Sequence, residues 1–84
     1  MVPEKLLLEE LVLLTQRVSA LRHDWAATPA DEALFRLAAA VTGRPLMPET
    51  FDVAPSALTF LLGARFSLER RLHPAAVTRR SLLG

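Results

Sequence analysis

The residues best placed for nucleophilic or acid–base chemistry are Ser19, His23 and Asp24, near the end of the first long apolar segment. Ser19 and His23 are four positions apart, so a helix would bring their side chains together. On a continuous helix Asp24 projects about 100° away from His23, and a catalytic triad is therefore not expected. The second histidine, His73, lies far along the chain, and neither histidine has a partner at a metal-binding helical spacing.

The carboxylates, the cysteine content and the glycines also argue against catalysis. Glu9–Glu10 and Asp31–Glu32 are adjacent pairs, whose side chains diverge by about 100° on a helix instead of facing each other across a substrate. The sequence has no cysteine, which excludes thiol nucleophiles, disulfides and thiolate metal sites. Its three glycines are scattered and form no phosphate-binding loop. We therefore expect a protein that is not an enzyme and that holds no cofactor or metal.

Arginines near the end of the sequence are the main candidates for binding a polyanion. Residues 1–54 contain five basic and eight acidic side chains, whereas residues 55–84 contain five arginines and one acid. Four of these arginines, Arg70, Arg71, Arg79 and Arg80, could contact the phosphates of a nucleic acid. No aromatic residue lies among them to stack on bases, and the link between the second and third predicted helices is too long for a helix-turn-helix. Nucleic-acid binding is therefore the alternative hypothesis.

The elements that carry these residues are predicted to be helices. The 84-residue chain is 51% hydrophobic, is rich in leucine and alanine, and has a net charge of only +1. This composition favours helix over strand and suits a single domain. It predicts an all-α fold over residues 1–84, a compact three- to four-helix bundle with a long central N-terminal helix. The sequence has neither a signal peptide pattern nor an apolar stretch long enough to span a membrane, so we expect a cytoplasmic protein with no membrane partner.

Six prolines divide the chain into helix-sized segments, because proline is tolerated in the first turn of a helix but breaks its interior. The second helix has the clearest signals: Thr28 can cap it, Pro29 takes the first position, Asp31 can complete a capping box, and Gly43 can end it. The predicted segments are a helix at about 3–26, a helix at about 29–42, an apolar strap at 43–54, a helix at about 55–73, and a short helix or tail at 74–84. Within the strap, residues 48–51 can form one helical turn.

The first helix has more apolar surface than a small bundle can cover. Its main apolar stripe comprises Leu7, Leu11, Leu14, Val18, Leu21 and Trp25. Leu6 and Leu13 lie on another side of the helix, and Leu8 and Val12 fill a third side. A helix that is apolar nearly all round must be covered nearly all round, and only two other long helices are available. The surplus predicts an interface of Leu6, Leu8, Val12 and Leu13, with Trp25 anchoring its far end.

Such an interface predicts a non-catalytic protein–protein interaction or oligomerisation module, for example an accessory or regulatory subunit of a bacterial complex. The expected partner is the chain itself, in a homo-oligomer such as a dimer or tetramer, or a different protein.

Two features of the third helix each have two interpretations. Arg65 and Glu69 are four residues apart between its apolar halves. They are either a half-exposed pair at the rim or polar groups that set the register of an interface. Thr59, Gly63 and Ser67 form a row of small side chains, which is either a solvent face or a surface that another helix can approach closely.

Replacing both Leu6 and Leu13 with Glu tests the predicted interface. If the two leucines form the interface, we expect folded monomers, because two charges break an interface without touching the core. If the two leucines belong to the core, the charged side chains unfold the chain instead. Circular dichroism measures the helix content of the variant, and light scattering behind size exclusion measures its mass.

Overall fold

The computed structural model describes residues 3–74 and contains three α-helices. They are α1 (Glu4–Leu21), α2 (Pro29–Thr42) and α3 (Ala54–Leu72), and they are joined by two connections that each contain a short 3₁₀ turn, Arg22–Asp24 and Pro48–Phe51. No strand occurs within residues 3–74, which confirms the all-α prediction for that part of the chain. The short helix or tail predicted at 74–84 lies, from residue 75 onward, outside the described residues.

Helices α1 and α3 form an antiparallel pair. The carboxylate of Glu4, at the start of α1, accepts a 2.9 Å hydrogen bond from Arg71, near the end of α3. At the opposite end of the pair, Val18 of α1 lines the same groove as Ala54 of α3. The contact between these two helices is the most extensive in the fold. It buries a continuous apolar core, which α2 completes with Phe35 and Ala38.

Helix α3, and not α1 as the sequence predicted, is the central element. It contacts α1, α2 and both 3₁₀ turns, whereas the main contacts of α1 are with α3. Three small buried residues explain this arrangement, because Ala54, Ala57 and Ala64 allow neighbouring backbones to approach α3 closely. Phe60 and Leu61 fill the remaining space on the same side of the helix.

Helix α1 ends at Leu21, several residues before the predicted end at about residue 26. Arg22 takes a φ of 52°, a conformation that non-glycine residues rarely adopt, and this turns the chain out of the helical path. Trp25 follows with extended backbone and is buried at 2% exposure. Its indole Nε1 donates a 3.0 Å hydrogen bond to the backbone carbonyl of Thr50, 25 residues further along. The helix therefore stops where it must for the indole to reach the core.

The prediction for α2 is confirmed in detail. The Thr28 hydroxyl accepts a hydrogen bond from the Asp31 amide, and the Asp31 carboxylate accepts one from the Thr28 amide, so both halves of the capping box are present. Gly43 ends the helix in the left-handed conformation, with a φ of 72°. These signals involve residues close in sequence, which is why they were readable without the fold.

The connection between α2 and α3 folds back onto the core as the predicted strap, with the predicted turn at Pro48–Phe51. Leu46 and Phe51 pack against the core, whereas Met47 and Val53 are exposed. The Phe51 ring lies edge-on to Phe35, with centroids 5.9 Å apart. Of these four apolar side chains, only Leu46 and Phe51 therefore hold the strap against the core.

The buried carboxylate of Asp31 links α1 to α2 as well as capping α2. Burial alone would raise the pKa of Asp31, but hydrogen bonds from Arg17 of α1 and from Thr28 outweigh this effect, so its pKa lies below the ordinary value of 3.8. Because this pKa is lower in the folded state than in the unfolded state, the ionised carboxylate stabilises the fold above the ordinary pKa. That contribution is lost as pH falls through the folded-state pKa.

Replacing Asp31 with Asn should lower the free energy of unfolding at neutral pH by about 1–2 kcal/mol, because the cap and the interhelical ion pair are both weakened. The difference from wild type should shrink in acid. Urea titrations followed by Trp25 fluorescence at neutral pH and at about pH 2.5 measure both effects. Glu32→Gln, on the same turn but half-buried, is the matched control and should change stability by less than about 0.5 kcal/mol. An equal loss in both variants would contradict the special role of Asp31.

Candidate protein-interaction face

One side of the α1–α3 pair is covered by α2 and the strap. Arg17 of α1 forms an ion pair with Asp31 of α2 on this side. The Phe60 ring of α3 packs 5.7 Å from that of Phe35 of α2, centroid to centroid. Further along α3, Arg71 donates a 2.7 Å hydrogen bond to the backbone carbonyl of Val41, near the end of α2.

The opposite side of the pair has no cover among residues 3–74. Helical periodicity places Leu8 and Val12 of α1 on this side, next to Leu58, Leu62 and Phe66 of α3. We call this surface the α1–α3 face. Leu62 is 59% exposed and Phe66 is 48% exposed, while the other three are half-buried. Residues 3–74 therefore present a two-helix apolar surface that none of them covers.

Two charged side chains, Arg65 and Glu69, lie within the α1–α3 face. Both are half-buried. The Nε atom of Arg65 is buried and makes no hydrogen bond in the part of the chain that the structure describes. The ion pairs found within residues 3–74 involve other side chains, so Arg65 and Glu69 are not paired along the helix. The face thus carries one positive and one negative group without a partner in residues 3–74.

Other polar groups beside the face have their own partners. Thr15, which follows Val12 by three residues, donates its hydroxyl to the Leu11 carbonyl at 2.6 Å. Arg70, at the solvent edge, lies over the Phe66 ring at 5.9 Å from its centroid. Arg65 and Glu69 therefore have no ion-pair partner within residues 3–74, and the Nε of Arg65 is also buried without a hydrogen bond there.

The structure separates the predicted interface residues into three locations. Leu8 and Val12 lie on the α1–α3 face. Leu6 and Leu13 lie on the outer side of α1, at 56% and 57% exposure, so they do not belong to the core. Trp25 does not anchor a surface, because it is only 2% exposed. Its indole ring packs edge-on against Phe35, and the Arg17 guanidinium lies over the same ring. This corrects the prediction for Trp25, which assumed that α1 continues through residue 25.

The arginine cluster is partly used within the fold. Arg71 is hydrogen-bonded to Glu4 and to the Val41 carbonyl, joining the ends of all three helices. Arg70 stacks on Phe66. Arg79 and Arg80 lie outside the described residues. One of the four predicted phosphate-binding side chains is therefore engaged in holding the helices together.

The row of small residues on α3 accommodates a side chain and not a helix. The Arg44 guanidinium lies over Gly63, and its Nε donates a 3.1 Å hydrogen bond to the Ser67 hydroxyl. A Cβ atom built on Gly63 would lie 2.7 Å from the Arg44 Cζ. Neither interpretation of this row anticipated Arg44, which comes from the strap.

Ser19, His23 and Asp24, the residues considered for a catalytic triad, lie on the surface. His23 Nε2 is 3.6 Å from the Asp24 carboxylate, in contrast to the predicted divergence, because these residues form a 3₁₀ turn after α1 has ended. Both side chains are highly exposed, at 89% and 75%. Within residues 3–74, no three His, Asp or Glu side chains converge as metal ligands would. None of the helices in that range has both the length and the apolar character that crossing a bilayer requires.

Comparison with known proteins adds no assignment, since no family model, curated protein or solved structure matches the chain at a significant level. The α1–α3 face is therefore interpreted from its own geometry and chemistry.

Replacing Gly63 with Ala should stabilise the chain by about 0.5 kcal/mol. Alanine gains about 1 kcal/mol of helix propensity, and displacing the exposed Arg44 guanidinium from Ser67 offsets about half of this gain. Chemical denaturation of the variant measures the net change. In an Arg44→Ala background the same substitution should show the full gain, and a net loss there would mean that something other than Arg44 excludes the added methyl group.

Proposed function

We propose that this chain is a non-catalytic protein–protein interaction and oligomerisation module that binds its partner through the α1–α3 face. The observation that carries the proposal is an apolar two-helix surface without cover in the described chain and with two unpaired charges inside it. Exposed apolar patches of this kind on small proteins are typical of interaction surfaces.

The energetics of the α1–α3 face favour binding over solvation. Burying a large apolar side chain contributes about 1.5–3 kcal/mol relative to leaving it in water. Leu62 and Phe66 each expose about half of their surface, and three half-buried neighbours surround them. Since both helices are held by the core, the face is organised before binding, which limits the entropy lost on association.

This arrangement suits an accessory or regulatory subunit of a larger assembly, acting in the cytoplasm. The chain presents a face built from two packed helices, and His23, on the exposed turn after α1, lines a groove with Leu58 at one end of this face. The contribution of such a subunit is to position partners.

Nucleic-acid binding through the arginines is the less supported alternative. Arg71 already donates hydrogen bonds to the Glu4 carboxylate and the Val41 carbonyl, and Arg70 lies over Phe66 at the edge of the α1–α3 face. A phosphate ligand would compete with contacts that join the three helices. The same residues are better explained by their role in the fold.

Light scattering of wild type, Leu62→Glu and Leu13→Glu tests the proposal. The two leucines are a matched pair, because both lie within a long helix and are 59% and 57% exposed. We expect wild type to have at least twice the mass of one 9.3 kDa chain. Leu62→Glu should be a folded monomer, because its charge lies in the interface, while Leu13→Glu keeps the wild-type mass.

The pattern of dissociation identifies the face. If Leu13→Glu dissociates and Leu62→Glu does not, the outer side of α1 is the interface and the α1–α3 face is not. A wild-type chain that stays monomeric at high concentration contradicts oligomerisation altogether.

A further inference from the structure

The two unpaired charges on the α1–α3 face restrict what can cover it. Any partner that excludes water from the face also removes water from Arg65 and Glu69. A buried charge without an opposite charge or hydrogen bonds opposes association strongly. An occupant avoids this cost if it brings a carboxylate to Arg65 and a cation to Glu69 and is apolar around them.

The α1–α3 face itself meets all three requirements. It carries one cation and one carboxylate, one helical turn apart, surrounded by leucine, valine and phenylalanine side chains. A positive and a negative group side by side are self-complementary under a two-fold axis, since each group then meets its opposite on the other copy.

We propose that the occupant is a second copy of this chain, docked so that Arg65 of each copy pairs with Glu69 of the other. The inference rests on the proposed interaction function of the α1–α3 face and names its partner and orientation. The two-fold axis passes between Arg65 and Glu69, and the α3 helices of the two copies run antiparallel.

This register also matches the apolar residues around the pair. The two-fold axis midway between Arg65 and Glu69 is level with residue 67. Positions 62 and 72 are equally far from this level, so position 62 of one copy lies opposite position 72 of the other. Leu62 therefore meets Leu72, which is half-buried in the single chain. In the same register position 66 lies opposite position 68, so Phe66 lies at the edge of the contact and not on the axis. The contact consists of an apolar zone with two symmetric ion pairs near its centre.

Charge reversal tests the pairing directly. Arg65→Glu places two carboxylates opposite each other twice in the dimer, and Glu69→Arg does the same with two arginines. Each variant alone should weaken self-association by about 100-fold or more, because like charges then face each other in a desolvated contact. An equimolar mixture of the two variants should form a heterodimer, because both contacts are complementary again. The double variant R65E/E69R should recover the homodimer for the same reason.

Arg36→Glu is the matched control for the change in net charge. Arg36 and Glu32 are also four residues apart on a helix, but they lie on α2, away from the α1–α3 face. This variant should keep the wild-type dissociation constant. Sedimentation equilibrium measures the dissociation constants, native mass spectrometry separates homodimers from heterodimers, and circular dichroism verifies that each variant is folded.

The outcomes separate this inference from the proposed function. If wild type dimerises, Leu62→Glu dissociates it and the charge variants have no effect, the interaction function holds and the Arg65–Glu69 pairing is wrong. If both single variants dissociate but their mixture does not associate, the pairing is also overturned. A monomeric wild type overturns the second copy as occupant, and leaves a different protein or residues 75–84 of the same chain to cover the face.

Discussion

The close antiparallel packing of α1 against α3 imposes the main constraint on this molecule. Two helices packed side by side have two open sides, and a single further helix can cover only one of them. Here α2 and the strap cover one side through the aromatic residues around Phe35 and the Arg17–Asp31 ion pair. The α1–α3 face is the other side, and no element within residues 3–74 covers it, so the proposed interaction surface follows from the three helices of that range.

The covered side is held by contacts that link distant parts of the chain. The Trp25 indole donates to the Thr50 carbonyl, and the Ala27 amide donates to the Phe51 carbonyl at 2.8 Å. These two hydrogen bonds join the segment after α1 to the strap before α3, over the edge of Phe35. Together they hold α2 and the strap on the same side of the α1–α3 pair, which leaves the opposite side without cover among residues 3–74.

The unpaired charges of Arg65 and Glu69 make the α1–α3 face chemically different from a purely apolar surface. A surface of leucines alone can bind many different apolar partners, because the hydrophobic effect is non-directional. Charged groups oppose association with any surface that leaves them unpaired, so in the proposed dimer Arg65 and Glu69 would select a partner of matching charge and fix its orientation. In the proposed dimer the same two residues would supply specificity, and the surrounding apolar side chains would supply most of the affinity.

The sequence alone determined the features that depend on near neighbours. These are the helical class, the capping box and the Gly43 stop of α2, the start of α3 within one residue, and the buried stripe of α1 from Leu7 to Val18. Local hydrogen bonds and helical periodicity specify them. Periodicity alone indicates that Leu8 and Val12 are surplus apolar residues, but it does not separate them from Leu6 and Leu13 on the outer side of α1 or from the buried Trp25. Only the tertiary structure decided that α1 stops at Leu21, that Trp25 is buried, and which side of α1 is covered by α2, because each depends on contacts between different elements, such as Trp25 with Thr50 and Arg17 with Asp31.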